Sequence, residues 1–225
     1  MSEAVKDFFN QTHKYLHKEH GVMFRNYLVR KELGQISGKS ILDCGCGNGQ
    51  VTMNFLENNK VLFVDFSEEM LRLVKSTIPV GLEHNARTLS EDILKADLDE
   101  QFDIIVFIGV IAHINENLEL TLSRLKKLLK KGGILFFQYT DCRHWLSRIY
   151  RMRNSTYKVS QYNDSDISKS TEAVGLTIKK KISYATTLPG FGKLPTSLLY
   201  RYVFYISKFR VLRFLQSERL FVLTN

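Results

Sequence analysis

The sequence contains few residues that break or cross-link a chain. Its 225 residues include only three prolines and three cysteines, and we find no internal repeat and no low-complexity tract. This composition argues against long disordered linkers. No apolar run has the length that a transmembrane helix needs. One large domain is the natural interpretation of this length, and the hydrophobic fraction of 44% is enough to fill its core.

The cysteines have the spacing of neither a disulfide framework nor a metal site. Cys44 and Cys46 flank one glycine, and Cys142 lies far along the chain. A zinc site needs further Cys or His ligands at regular spacing, so we expect no metal and small apolar side chains that fill space under a turn. Reduced thiols, and an N-terminus without a basic segment followed by an apolar stretch, predict a cytoplasmic protein.

Acidic residues are scarce in the C-terminal part of the chain. Residues 1–140 hold 17 Lys and Arg against 18 Asp and Glu, whereas residues 141–225 hold 15 against 5. The whole formal charge of +9 therefore arises after residue 140. This asymmetry predicts an anionic partner there, which is a phosphorylated substrate, a lipid surface or nucleic acid.

The strongest local pattern is Asp43-Cys44-Gly45-Cys46-Gly47-Asn48-Gly49, which follows a short apolar run. Glycines at alternate positions permit a tight turn and the close approach of a ligand. Asp65 ends the next apolar run, 20 residues after Gly45. A Rossmann-type βαβ unit presents a carboxylate to a ribose diol at about this distance. The two features predict a nucleoside-binding crevice.

Apolar strands alternate with amphipathic helices along most of the chain. We expect strands at 40–43, 61–64, 82–87, 103–108, 134–138, 176–184 and 219–223, and helices at 4–34, 49–58, after Ser67, at 118–131 and at 164–173. This alternation predicts a parallel sheet with right-handed crossovers. Residues 185–217 form an insertion that is rich in aromatic and basic side chains.

Four motifs in sequence order resemble those of class I S-adenosylmethionine-dependent methyltransferases, in the ubiquinone and menaquinone methyltransferase-like branch. They are the glycine turn 43–49, Val64-Asp65, the segment 102–114 and the segment 128–135. The resemblance implies a Rossmann-like α/β fold with a seven-stranded, mostly parallel sheet, an antiparallel last strand and helices on both faces. It implies S-adenosyl-L-methionine as the cofactor. We divide the single domain into a helical cap (1–37), a cofactor-binding core (38–140) and a basic substrate-side part (141–225).

The resemblance also assigns cofactor contacts to individual residues. Asp65 is expected to accept from both ribose hydroxyls, and Asp43 either supports the turn or accepts from the amino group of the cofactor. The other expected contacts are Gly45, Cys46, Gly47 and Gly49 in the turn, Phe66 and Met70 along the adenine, Asp92 and Ile93 near the adenine amino group, Ile108 and Gly109 beside the sulfonium, and Tyr15 from the N-terminal helix. Glu91 competes with Asp92 for its role.

Methyl transfer from a sulfonium is an in-line displacement, so the protein mainly orients the partners and removes a proton. His113 is the base candidate within the matched segment, and a structural histidine packed under the loop is the alternative. His144, after the fifth strand, is the rival base. Many relatives carry an acidic residue where Gly109 and Ala112 stand here, which makes the acceptor side less predictable.

Two basic clusters account for the C-terminal charge, one at 143–158 and one at 193–213. The second interleaves with Leu198, Tyr202, Tyr205, Ile206, Phe209 and Leu212, which share one helical face. Four interpretations remain: an interfacial helix on anionic lipid, a lid over the substrate, an aromatic-basic surface for nucleic acid, and a core helix with a solvated cationic edge.

We therefore predict methyl transfer, most plausibly at oxygen, to a small molecule or to a glycolipid or nucleotide-sugar type of acceptor. The charge favours an anionic or lipid-linked acceptor and allows peripheral contact with the inner face of the membrane. An RNA methyltransferase is the first alternative, although no Asn-Pro-Pro-Tyr-type motif is present. A non-catalytic, cofactor-binding partner subunit is the second. The acceptor atom and the oligomeric state do not follow from the sequence.

Overall fold

A computed structural model describes residues 19–114, 116–153, 160–185, 188 and 191–225. Within these residues seven strands form one sheet in the order β3-β2-β1-β4-β5-β7-β6. The strands are β1 Ser40–Cys44, β2 Lys60–Asp65, β3 Ala86–Ser90, β4 Phe102–Phe107, β5 Leu129–Thr140, β6 Thr177–Tyr184 and β7 Glu218–Thr224. The α-helices are α1 Glu19–Leu33, α2 Glu68–Thr77, α3 Leu118–Leu128, α4 Trp145–Arg153, α5 Asp164–Ala173 and α6 Thr196–Lys208.

Strands β1 to β5 pair in parallel, whereas β7 runs antiparallel to both of its neighbours. The predicted seven-stranded, mostly parallel sheet with an antiparallel last strand is therefore confirmed. The order reverses between β1 and β4, where the crevice of a doubly wound sheet lies. Strand β7 begins opposite Thr140 and Tyr184. Residues 185–217 therefore connect β6 to β7 at the end of the sheet where the parallel strands have their carboxyl ends, which is also the end that holds the crevice.

Helices cover both faces of the sheet, as expected. One apolar cluster joins α3 and α5 to the sheet through side chains such as Leu125 and Ile167. The other joins α1, α2 and α6 to the opposite face through Phe24, Val74 and Val203. The central strands are buried on both faces, which explains why the sequence of β4 is an almost unbroken apolar run.

Helix α2 begins where its sequence predicts. The Ser67 hydroxyl accepts a hydrogen bond from the Met70 amide at 3.3 Å. Glu68 and Glu69 place negative charge in the first turn, where it interacts favourably with the helix dipole. The start of this helix fixes the position of the chain just after Asp65.

The predicted helix at 49–58 is wrong. The segment after the glycine turn contains turns and one 3-10 helix, Met53–Phe55, closed mainly by bonds between residues three apart. Thr52 is drawn inward because its hydroxyl donates to Asp43 at 2.6 Å. The Asn59 amide group donates to the Phe55 carbonyl at 3.0 Å. These side-chain bonds compete with a regular helix, for which Thr and Asn have low propensity.

The bounds of three predicted elements also differ. Helix α3 ends at Leu128 rather than Lys131, and β5 begins directly at Leu129. Between the paired residues 129 and 134 the strand bulges, and Lys130 is held there by an ion pair of 2.8 Å with Asp103. Strand β3 lies at 86–90 instead of 82–87, because a 3-10 turn occupies 83–85.

The insertion contains helix α6, and the side chains expected to share one apolar face are exposed or only partly buried, although Tyr202 packs against the core. Leu198, Tyr205 and Phe209 are exposed, whereas Leu199 and Val203 are buried. The buried side packs on α1, where the Phe204 ring lies 5.4 Å from that of Tyr27. In the part of the chain that the structure describes, no helix is both long and apolar enough to cross a membrane.

Candidate active site

A pocket lies at the carboxyl ends of β1, β2 and β4, where the strand order reverses. Its lining comprises Gly45, Gly47, Val64, Asp65, Phe66, Glu91, Asp92, Ile93, Gly109, Val110 and His113. Ligands of open α/β sheets bind at this position because the loops after adjacent strands diverge there. The structure therefore brings together most of the residues that the sequence singles out.

The glycine turn forms the floor of the pocket. Gly45 has a φ of 64°, and a Cβ there would lie 2.5 Å from a methyl group of Val110. Gly47 has a φ of 54°, but a Cβ there would meet nothing within 4 Å. Glycine at 45 is thus required by the protein itself, whereas the space above Gly47 is available to a ligand.

Asp65 joins the turn to the second strand. Its Oδ2 atom accepts from the Gly47 amide and its Oδ1 atom from the Ser67 amide, each at 2.9 Å. Burial raises the pKa of this carboxyl, and the backbone amides that donate to it oppose that rise. A carboxylate has about four acceptor positions, so this group keeps capacity to accept from a ligand hydroxyl while the backbone amides of residues 47, 66 and 67 hold it in place.

Acidic side chains surround the pocket. Glu91 and Asp92 line it together with Asp65, and the structure does not separate Glu91 from Asp92 as the partner of an adenine amino group. The Oδ1 atom of Asp92 accepts from the Leu94 amide at 3.1 Å, which fixes this loop. No lysine or arginine lines the pocket among the described residues. The site therefore suits a ligand with positive charge.

Asp43 lies beneath the turn rather than in the pocket lining. Its carboxylate is buried and accepts from the Thr52 hydroxyl at 2.6 Å. Burial raises its pKa to about 7, the Thr52 bond opposes this rise, and the nearby Asp65 charge adds to it. Cys44 and Cys46 are also buried here as free thiols. This arrangement favours the supporting role of Asp43 over direct contact with the cofactor.

The other end of the pocket is formed by the loop after β4. Gly109 and Val110 line it, and His113 closes it from the 3-10 turn Ile111–His113. Gly109 has a φ of 78°, and its amide donates to the Gln138 side chain at 2.7 Å. His113 thus lines the pocket at the end formed by the loop after β4.

A polar network behind Gly109 was not predicted from the sequence. Arg25 of α1 donates to the Tyr184 hydroxyl at 3.3 Å, and its guanidinium lies 3.1 Å from where a Cβ of Gly109 would be. Gln138 donates to the buried carboxylate of Glu218. These residues come from four different elements, so no local motif could have revealed them.

Several expected contacts lie outside the pocket lining. Met70 is fully buried against the core, and Gly49 packs against Phe63 and Val74. Cys46 and Ile108 are also buried and do not line the pocket. Tyr15 lies outside the described residues, as do Lys158 of the first basic cluster and the first part of the helical cap.

His144 is not brought to the pocket. It follows Asp141 at the exit of β5, where its Nδ1 atom accepts from the Leu146 amide at 3.3 Å and its ring stacks on Trp145. Burial lowers its pKa, and the positive charge of Arg219 adds to this effect. Elsewhere in the described chain, no group of three His, Cys, Asp or Glu side chains is arranged to hold a metal ion.

Comparison with known proteins agrees with this architecture. The profile of a family described as a methyltransferase domain matches residues 41–133. The chain is 26% identical over 141 residues to a demethylmenaquinone methyltransferase of Lactococcus lactis, covering 58% of this chain and 56% of that protein. It is 27% identical over 105 residues to a ubiquinone biosynthesis O-methyltransferase of Nitrosospira multiformis, covering 46% and 44%. The matched part thus spans about half the length of these curated relatives.

Solved structures extend the likeness in fold to nearly the whole chain. The magnesium protoporphyrin IX methyltransferase of Synechocystis, solved with bound SAH, superimposes with a TM-score of 0.70 at 15% identity. The match covers 98% of this chain and 97% of that one. The likeness in fold therefore extends to residues on both sides of the segment 41–133 that the family profile matches. The family profile, the curated relatives and the fold together support the identification of this chain as a class I S-adenosylmethionine-dependent methyltransferase.

Proposed function

We propose that the protein binds S-adenosyl-L-methionine in the pocket between β1, β2 and β4 and transfers its methyl group to an anionic small-molecule acceptor. The observation that carries the proposal is the junction of Asp65 with the Gly47 amide at 2.9 Å, beside open space above Gly47. A carboxylate held in this way binds a ribose diol while the turn leaves room for the rest of the cofactor.

The electrostatics favour this cofactor over a dinucleotide. A pyrophosphate needs cationic groups or a helix N-terminus, but the described segment between the glycine turn and β2 contains turns and a 3-10 helix and no α-helix. Asp65, Glu91 and Asp92 line the pocket instead, and they would repel phosphate. A sulfonium and an α-amino group carry positive charge, so the same carboxylates attract them.

When bound, the cofactor supplies an electrophilic methyl group for in-line displacement. Asp65 and the glycine turn would hold the ribose and the methionine part, and Glu91 or Asp92 would accept from the adenine amino group. Gly109 and Val110 would bound the space in which the acceptor meets the methyl group. His113 would take the proton from the acceptor atom as the new bond forms.

Among the described residues, Arg25 places a cationic group close to the pocket. Arg25 lies against Gly109, where it would bind a carboxylate or phosphate of the acceptor. The relatives named as O-methyltransferases support an oxygen acceptor. We therefore infer O-methylation of an anionic molecule, with glycolipid and nucleotide-sugar intermediates as the classes that also fit the basic C-terminal part.

Titration calorimetry with S-adenosyl-L-methionine, with its demethylated product and with NADH tests the cofactor. We expect heat and a raised melting temperature with the first two compounds and neither with NADH. Absence of both signals with the first two would end the proposal. Labelled methyl transfer into fractionated extract then separates an enzyme from a non-catalytic binding subunit, and digestion of the labelled product with ribonuclease separates RNA from a small molecule.

A further inference from the structure

Large apolar side chains are exposed on one surface of the C-terminal part. This surface, here called the basic-aromatic face, comprises the apolar residues Trp145, Leu198, Tyr205, Phe209, Val211 and Phe214. Each of them is between 44% and 79% exposed. Contiguous exposed apolar surface of this kind is costly in water and marks an interaction site.

The face is built from two segments that are fastened to each other. The indole nitrogen of Trp145 donates to the Phe214 carbonyl at 2.6 Å, which joins the start of α4 to the 3-10 turn Arg210–Leu215. The Gln216 side chain donates to the Ile206 carbonyl at 2.8 Å and thereby ties the same turn to α6. The exposed apolar residues are thus held in place as one surface.

These side chains stay exposed in the fold, although Trp145 stacks on His144 and Tyr205 contacts the Phe204 ring. Helix α6 turns Leu199 and Val203 inward against α1, and Phe204 contacts the rings of Phe24 and Tyr27. The basic-aromatic face lies on the remaining, outer side of α6 and continues over the turn that follows. Its apolar character therefore serves something other than the core.

The charge around this face has one sign. Residues 173–217 contain eight lysines and arginines and no aspartate or glutamate. Arg201, Lys208, Arg210 and Arg213 are all exposed beside the apolar residues. Within the described residues, none of these four forms an ion pair. Their charge is thus available to an anionic partner.

Exposed apolar side chains interleaved with uncompensated cations complement an anionic lipid surface. The aliphatic and aromatic groups enter the headgroup and acyl boundary while the cations meet the phosphates. A second copy of this chain fits less well, because its own cations would face these. Nucleic acid would use the cations but would leave Leu198 and Val211 unused. We propose that the basic-aromatic face docks the protein on an anionic bilayer.

The docking surface and the pocket lie at the same end of the sheet, where the parallel strands have their carboxyl ends. Residues 185–217 connect the end of β6 to the start of β7, opposite Thr140, and β4 also ends there. Docking would thus hold the loops around the pocket close to the lipid. The proposal rests on the surface alone, and it survives even if the pocket takes a different cofactor.

Co-sedimentation of the full-length protein with vesicles tests the inference. The vesicles are phosphatidylcholine alone, and phosphatidylcholine mixed with phosphatidylglycerol. We expect binding to the mixed vesicles only, weakened by salt. The double variant Phe209→Ser/Val211→Ser should weaken binding at least about tenfold. Each of Arg210→Gln and Arg213→Gln should weaken it about fivefold.

Matched substitutions elsewhere serve as controls. Val80 and Leu120 are also exposed apolar residues, and Lys60 and Lys75 are exposed cations outside the basic-aromatic face. Val80→Ser/Leu120→Ser, Lys60→Gln and Lys75→Gln should bind the mixed vesicles like the wild type. Equal loss in the control variants, equal binding to both vesicle types or no binding at all would overturn the proposal. A concentration-dependent dimer or an RNA complex of the wild type would also overturn the proposal if the double variant Phe209→Ser/Val211→Ser abolished it and still bound vesicles.

Discussion

The amide of Gly47 donates to the Oδ2 atom of Asp65 at 2.9 Å, which joins two motifs that are 18 residues apart. The glycine turn and the acid at the end of β2 are therefore parts of one rigid structure. A change at either residue should alter the same binding site. Their different surroundings allow the two contributions to be separated by mutation.

Removal of the Asp65 carboxylate should weaken cofactor binding. Asp65→Ala removes the acceptor that we propose for the ribose and the acceptor that the structure shows for the Gly47 and Ser67 amides. We expect at least about a tenfold loss of affinity for S-adenosyl-L-methionine, on the order of 1.4 kcal/mol, by calorimetry. Asp99→Ala, a carboxylate outside the pocket lining, should leave the affinity unchanged. Wild-type affinity in Asp65→Ala would refute the ribose assignment.

The two glycines should respond differently to alanine. Gly45→Ala places a methyl group 2.5 Å from Val110, so we expect a loss of about 2 kcal/mol or more in the free energy of unfolding. Gly47→Ala meets no atom but occupies the pocket, so it should lower cofactor affinity with a stability loss of only about 1 to 2 kcal/mol.

Gly38 is the control for these two substitutions. Its φ of 68° is also left-handed, and a Cβ there meets nothing within 4 Å, but it does not line the pocket. Gly38→Ala should reproduce the modest destabilisation of Gly47→Ala in urea titrations and bind the cofactor normally. If Gly38→Ala and Gly47→Ala had equal cofactor affinities, the space above Gly47 would not be part of the site.

Asp43 should make stability depend on pH. Burial raises its pKa from 3.8 to about 7, so the folded state binds more protons than the unfolded state between these values. Stability should therefore fall as the pH rises through this window and level off above about pH 7. Asp43→Asn removes this titration, and it should gain on the order of 2 to 4 kcal/mol relative to the wild type across the window.

Urea denaturation at several pH values between about 4 and 8 measures this difference. The useful quantity is the change with pH in the stability difference between Asp43→Asn and the wild type, because groups that do not interact with Asp43 cancel in this difference. The exposed Asp99, replaced by Asn, should show no such change. A pH-independent difference for Asp43→Asn would contradict the assignment of a raised pKa.

His113 should affect turnover rather than cofactor binding. It lines the acceptor end of the pocket, so His113→Ala should lower methyl transfer by about a hundredfold with little change in calorimetric affinity. His84 is exposed outside the pocket, and His84→Ala should retain wild-type turnover. If His113→Ala turned over normally, the histidine would only support the loop.

Arg25 should determine affinity for an anionic acceptor. Its guanidinium lies against Gly109, so Arg25→Ala should raise the KM for the acceptor by about tenfold while cofactor affinity stays constant. Arg30 is an exposed arginine of the same helix, and Arg30→Ala should leave the KM unchanged. An unchanged KM in Arg25→Ala, with an intact melting transition, would assign Arg25 a structural role in place of acceptor binding.

Local sequence was sufficient for the central part of the fold. The apolar run of β4 and the Ser67 cap of α2 involve neighbours along the chain, and the spacing from Gly45 to Asp65 is a distance that can be read from the sequence. Periodicity and capping act over a few residues, so such features can be recognised without a structure. The same holds for the pocket as far as the loops after β1, β2 and β4 define it.

Predictions from local sequence patterns were wrong where a side chain bonds to a residue that is distant in the sequence. Thr52 bonds to Asp43 and replaces the expected helix with turns, and Lys130 reaches Asp103 within the bulge of β5. In α6 the apolar residues occur on more than one side, so periodicity alone did not identify the side that packs on α1. Each of these outcomes depends on a partner outside the local window.

The sequence by itself determined the alternation of strands and helices, the glycine turn and the acid that follows it, because these depend on backbone preferences and near neighbours. Only the tertiary structure decided that Arg25 meets Tyr184, 159 residues away, beside Gly109. It also decided that Phe209 and Val211 face outward. Such arrangements follow from how whole helices and strands pack together. Packing determines which side of a helix is buried when apolar residues occur on more than one of its sides.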